Sequence, residues 1–166
     1  MKKNEHYRNV DGNLNYWREY TYDDNGNITS SRCCNAAGIV EWYEYTYDAN
    51  GNQTSMRCNN ADGSVRWWHE YTYDANGNET SSRYYNADGR MDCRVEYTYD
   101  ENGNRMSERW CNANGNETSV RKYRADGSVD WPNSWDATYD ANGNKTSSRY
   151  YNADGSVECE FQFLTN

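Results

Sequence analysis

Four glutamates, Glu19, Glu44, Glu70 and Glu96, recur at one place in a repeated phrase, and Asp136 stands in the same place further on. Two carboxylates flanking a bond are the machinery of glycoside hydrolysis, so a column of acids is the first place to look for chemistry. Folding the chain back at the nearest Asn-Gly sets an arginine opposite each: Arg32, Arg57, Arg83, Arg109 and Arg149. Identical acids, each with its own base, describe a solvated face rather than an acid–base pair. Asp48, Asn50 and Asn52 alternate as the first ligands of an EF-hand do. Gly51 comes at the fourth place instead of the sixth, and no glutamate stands at the twelfth, so a turn accounts for them better than calcium. His69 falls beside Trp67 and Tyr71, where packing is the simpler role. Asn27, Asn52, Asn78, Asn116 and Asn144 begin N-x-T sequons, but these follow from the repeat itself. No catalytic residue, cofactor-binding residue or metal ligand is expected, and no cofactor.

The elements that carry these side chains are set by punctuation. Asn-Gly occurs at Asn25-Gly26, Asn50-Gly51, Asn76-Gly77, Asn102-Gly103, Asn114-Gly115 and Asn142-Gly143. Asp-Gly occurs at Asp11-Gly12, Asp62-Gly63, Asp88-Gly89, Asp126-Gly127 and Asp154-Gly155, with Ala37-Gly38 as a variant. Segments of about ten residues lie between them, which predicts a ladder of hairpins closed by two-residue type I′ turns. A two-residue loop pairs Tyr73 with Thr80 and Glu70 with Arg83, whereas a three-residue loop pairs Tyr73 with Glu79. The five acid–arginine matches favour the former. One face then carries Tyr71, Tyr73, Tyr84, Met91, Cys93 and Val95, and the other Glu70, Thr72, Ser81, Arg83 and Tyr85. The same reading aligns Tyr16, Trp42, Trp67, Cys93, Trp131 and Cys159 in one column.

Composition supports a rigid β array. Mean hydropathy is −1.33, yet 17 Tyr and 7 Trp supply large rings that bury their faces and keep polar tips wet. No stretch has a helical period. The net charge of −9 and pI near 4.7 repel nucleic acid and anionic membranes, so neither is an expected partner. Of the six cysteines, Cys33, Cys58, Cys93 and Cys159 stand where other repeats have aromatics, which predicts free thiols used as apolar filler. No apolar stretch follows the opening "MKK", so the default expectation is the cytoplasm, with a non-classical export route or a removed signal as alternatives.

"YTYDANGN" at Tyr45 and Tyr71, followed by "TS", resembles the YD repeats of the RHS family of bacterial toxins and cell-surface proteins. "YYNADGS" is also similar to the hairpin repeats of YwqK-like and MORN-like proteins. The resemblance carries over a scaffold only, on Tyr45, Tyr47, Asp48, Gly51 and their equivalents.

The expectation is therefore all-β: tandem antiparallel hairpins of about 26 residues in a coiled, solenoid-like sheet. Residues 1–166 read as one array, with an irregular segment near 128–138, where Pro132 cannot donate to a ladder, and a terminal strand at 156–165. A one-residue shortfall between Gly38 and Gly51 predicts a bulge near Glu44. The expected role is a structural, self-assembling module rather than an enzyme. Tyr7, Phe161 and Phe163 mark its assembly edges, joining copies head-to-tail into fibres or rings. The expected partners are further copies of the chain. The alternative is a binding module for carbohydrate, or for a basic protein in the manner of an immunity protein, using the aromatic surface Trp17, Tyr43, Trp68, Tyr85 and Tyr151.

Overall fold

The computed structural model describes residues 2–8 and 14–164, with the side chains of Tyr7, Arg8, Leu14 and Asn15 outside the description. The strands are β1 (Lys2–Arg8), β2 (Leu14–Tyr22), β3 (Ile28–Asn35), β4 (Gly38–Tyr47), β5 (Gln53–Asn59), β6 (Val65–Tyr73) and β7 (Glu79–Asn86). They continue as β8 (Met91–Tyr99), β9 (Arg105–Asn112), β10 (Glu117–Lys122), β11 (Trp135–Tyr139), β12 (Lys145–Tyr151) and β13 (Val157–Gln162). All thirteen form one antiparallel sheet in chain order, as a hairpin repeat demands. Their contacts group into two compact units, residues 1–71 with 84–90, and residues 72–83 with 91–166.

The turns differ from the expectation. In the first complete Asn-Gly hairpin, the Asp23 N–H donates to the Asn27 carbonyl at 3.0 Å and the Gly26 N–H donates to the Asp23 carbonyl at 3.3 Å. Three residues lie inside that closing pair, a type I turn followed by a glycine in the left-handed region, with Gly26 at φ +89°. A type I′ turn would need Asn25 left-handed too, and among the described residues only glycines have positive φ. The loop is therefore one residue longer than predicted.

The predicted register nevertheless holds away from the turn. Tyr22 lies opposite Ile28, but Thr21 lies opposite Ser30, so Thr29 is an extra residue in the returning strand. That bulge cancels the longer loop, and Glu19 arrives opposite Arg32 as expected. Glu44 with Arg57, Glu96 with Arg109 and Asp136 with Arg149 follow the same rule. The other hairpin ends behave alike: Cys58 lies opposite Trp67 and Asn59 opposite Val65, leaving Arg66 as the extra residue.

One column needs correction. Between Asn35 and Gly38 only Ala36 and Ala37 remain, so the one-residue shortfall is taken up in that turn and not near Glu44. Arg32 consequently lies opposite Trp42, just as Arg57 lies opposite Trp68. Trp42 therefore shares its column with Trp68, not with Trp67.

The interior is thin. The largest fully buried side chains are Val95, Cys58, Cys111, Ser82 and Ser134, while most rings are half-buried. Small residues form the floor and aromatic rings roof it, which suits a single layer that cannot bury a Trp completely. Between 123 and 135 the pattern breaks: Tyr123 bridges to Val129, a short 3-10 helix covers Trp131–Asn133, and β10 meets β11 only through Ser119–Asp136 and Val120–Trp135.

Candidate functional site

The repeated phrase is explained by the hairpin, residue by residue. One oxygen of Asp48 accepts from the backbone N–H groups of Asn50 and Asn52, each at 2.9 Å, and the other accepts from the Asn52 side-chain amide at 2.9 Å. The Asn52 amide is the main influence holding the Asp48 carboxyl below its ordinary range. Asp23, Asp74, Asp100 and Asp140 are held in the same way by Asn27, Asn78, Asn104 and Asn144. These oxygens and amides are engaged with their own turns, so the calcium-like spacing and the N-x-T sequons both follow from turn construction. Among the described residues no group of three His, Cys, Asp or Glu is placed to hold a metal ion.

The threonines and serines belong to the bulge. The Thr46 hydroxyl meets Thr54 at 2.8 Å and Ser55 at 2.6 Å, the two residues that share one position opposite it. Thr72 with Thr80 and Ser81, and Thr138 with Thr146 and Ser147, repeat the arrangement. A bulge leaves a backbone carbonyl without its ladder partner. The second tyrosine of the phrase meets that need one hairpin later: Tyr47 donates to the Ile28 carbonyl, Tyr99 to Glu79 and Tyr139 to Glu117, at 2.9, 2.8 and 2.9 Å.

The acid column is not a row of isolated Glu–Arg pairs. Glu44 accepts from the Asn59 amide at 3.2 Å, Glu70 from the Tyr85 hydroxyl at 3.0 Å, and Glu108, which faces Arg121 as Glu44 faces Arg57, from the Tyr123 hydroxyl at 3.2 Å, all at one spacing of 15 residues. Asp136 accepts from Tyr151 and pairs with Arg121 at 2.8 Å, while Arg149, its cross-strand neighbour, turns to Glu160 at 2.9 Å. Burial works to raise Asp136, but hydrogen bonds from Arg121 and Tyr151 outweigh it and hold the carboxyl below its usual range. Two shallow grooves repeat one lining a hairpin apart: Glu19, Thr21, Ser30 and Arg32 in the first, and Glu44, Thr46, Ser55 and Arg57 in the second.

The proposed aromatic surface divides between the two faces. Trp68 and Tyr85 stack on each other, with centroids 4.8 Å apart and planes at 8°. Trp68 also lies over Gly89, Trp42 over Gly63 and Trp131 over Gly155, so each indole covers the glycine of the next Asp-Gly turn. The expected register hid this role, because it set Trp42 in the column of Trp67 instead of that of Trp68. The signal was present in the recurrence of a Trp 21 residues before Gly63 and Gly89, and 24 before Gly155. Tyr151 packs on Trp131 at 5.1 Å. Trp17 donates to Glu19 at 3.1 Å. Tyr43 is on the opposite face from Trp68, near Trp67 and Tyr45, and its hydroxyl donates to Glu41 at 2.5 Å. That bond, with burial second, pushes the Tyr43 phenol well above its ordinary value. His69 stacks on Trp67 at 4.7 Å and meets the Tyr84 ring at 4.2 Å, and burial lowers its basicity. All six cysteines are free, with Cys34, Cys58 and Cys111 buried.

The edge candidates stand apart. Phe161 is 54% exposed and Phe163 46%, with Val157 and Leu164 exposed beside them. Phe161 lies opposite Ser148 as His69 lies opposite Met56, so it occupies a column whose other members are covered. Tyr7 has its backbone in β1, opposite Tyr16, but its side chain lies outside the described residues.

An antiparallel sheet in chain order, with every polar signature residue committed to a turn, a bulge or the next hairpin, defines a repeat scaffold. The RHS Repeat profile matches residues 22–65 and 47–91, so residues 22–91 carry RHS (YD) repeats. No curated protein matches the sequence. Among solved structures, the chain is similar to one in the crystal structure of TcdB2-TccC3-Cdc42, with TM-score 0.55 and 18% identity over 83% of this chain. This chain spans only 7% of that chain's length, and the likeness is one of fold. A porin-like protein from Bacteroides uniformis ATCC 8492 gives TM-score 0.43 and 13% identity, covering 94% of this chain and 84% of the other.

Proposed function

We propose that the chain is a non-enzymatic structural module that associates with further copies of itself through the ends of its sheet. The observation that carries the reading is the exposure of Phe161 on β13 and of Phe163 just after it, β13 being the last strand in the described order. A strand with one free edge and an apolar face recruits another strand. Covering two half-exposed Phe rings contributes roughly 1–3 kcal/mol for each ring fully buried. The turn aspartates and their asparagines repeat one structural role in successive hairpins, as a scaffold requires.

Sedimentation velocity across a concentration series tests this directly. Self-association that weakens in F161S/F163S, with unchanged circular dichroism, is the expected result. A wild-type chain that stays monomeric at the highest concentration reached would overturn it.

A further inference from the structure

We infer that Asn114 is a site of spontaneous modification to aspartate and isoaspartate, set apart from the other Asn-Gly pairs by a turn that lacks a carboxylate. The chemistry needs only water and hydroxide. The Gly115 N–H loses its proton, and the nitrogen attacks Asn114 Cγ. A C–N bond forms, the bond from Cγ to the side-chain nitrogen breaks, and that nitrogen takes a proton from water and leaves as ammonia. Water then opens the cyclic imide. Attack at Cγ gives aspartate, and attack at the main-chain carbonyl gives isoaspartate, whose chain runs through Cβ. One water is consumed and one ammonia released before the opening, and a second water is taken up in it as hydroxide is regenerated, so the net change is one water for one ammonia.

A closed turn opposes the first step. In all six Asn-Gly turns the glycine N–H donates to the carbonyl of the residue three places earlier, at 2.9–3.3 Å, and Gly115 does so to Asn112 at 2.9 Å. Attack therefore requires the turn to open, and the ease of opening depends on the side chain of that earlier residue. Five turns have aspartate there: Asp23, Asp48, Asp74, Asp100 and Asp140. In each, one carboxylate oxygen accepts from two backbone N–H groups and the other from an asparagine amide, as at Asp48. Asn112 supplies one oxygen only. It accepts from the N–H groups of Asn114 and Asn116 at 3.1 and 3.0 Å. The second atom is an amide nitrogen, which cannot accept, and the Asn116 amide reaches the Gly143 carbonyl at 3.5 Å instead.

This turn is thus held by one side-chain bond fewer, and its two remaining bonds lack the strengthening of an ionised acceptor. A carboxylate beside the glycine also opposes the negative charge that forms on its nitrogen, and a neutral amide does not. Glu117, the nearest acid along the chain, is paired with Arg109 at 2.9 Å. Access is open as well. Asn114 and Gly115 are exposed, and no atom lies within 4 Å of where a Cβ on Gly115 would stand, whereas Asn78 crowds Gly103 and Asn116 crowds Gly143.

Peptide mapping by mass spectrometry tests this on the folded chain at mildly alkaline pH. Cleavage after Lys and Arg leaves each Asn-Gly in its own peptide, with Asn114 in residues 110–121. Asn114 is expected to convert at least about fivefold faster than any other Asn-Gly, the effect of one lost hydrogen bond. The six rates converge in urea, because the dipeptide is the same. N112D restores the carboxylate used elsewhere and slows Asn114 by the same factor, while D48N raises Asn50 to match. Circular dichroism of both variants checks that the hairpins remain. The inference is overturned if Asn114 does not lead, if N112D leaves its rate unchanged, or if its lead persists in urea. A lead by Asn25, whose turn has the 3.3 Å closing bond, would make that bond and not the carboxylate decisive.

Discussion

The Tyr47 hydroxyl donates to the backbone carbonyl of Ile28 at 2.9 Å, across 19 residues of chain. Ile28 stands at the turn end of a bulged strand, so a ring from one hairpin repairs the hydrogen bonding of the hairpin before it. This link gives the second tyrosine of the phrase a role its neighbour Tyr45 lacks.

Removing that hydroxyl takes this hydrogen bond from the Ile28 carbonyl. Y47F is expected to destabilise the fold by about 1 kcal/mol, and Y99F and Y139F similarly, whereas Y45F stays near neutral. Urea denaturation of the single variants, followed by far-ultraviolet circular dichroism, checks the contrast.

The turn type makes a second contrast. Gly51 has φ +86° while Asn50 has negative φ. G51A is expected to cost about 1–2 kcal/mol, and N50A less than about 0.5 kcal/mol. Equal and large costs at both positions would restore the two-residue turn. Thermal unfolding of the pair decides between them.

Indoles that cover glycines carry packing energy. W68A uncovers Gly89 and removes the stack with Tyr85. A loss of roughly 2–3 kcal/mol is expected, below that of a fully buried Trp because the ring is half-exposed. W68F keeps a ring over the turn and recovers part of it. Melting temperatures of the two variants measure the difference.

Acidity acts through two kinds of group. The turn aspartates have carboxyls held below the ordinary 3.8 by their Asn partners, as at Asp48. A depressed carboxyl contributes stability that is complete above the unfolded value and is lost as pH falls through the folded one. The melting temperature should therefore drop below about pH 4, and N52A should reduce the Asp48 part of that drop. His69 is lowered from 6.5 by burial, so its contribution is complete above pH 6.5 and fades as pH falls through its folded value. H69F removes that second slope. Carboxyl and imidazole titrations by NMR identify each group.

The sequence alone determined the hairpin ladder, its phase and its two faces. Turn dipeptides and alternation are local signals, and five acids matched to five arginines specify pairing at a distance from any turn. The turn geometry itself was not legible, because a three-residue loop with a compensating bulge and a two-residue loop without one give the same register at Glu19 and Arg32. Tertiary structure decided what contacts cross from one hairpin to the next: Tyr47 to Ile28, Trp68 over Gly89, and Asp136 to Arg121 rather than to its strand neighbour Arg149. These depend on where side chains reach between hairpins, and the position of one hairpin on another is not encoded in either alone.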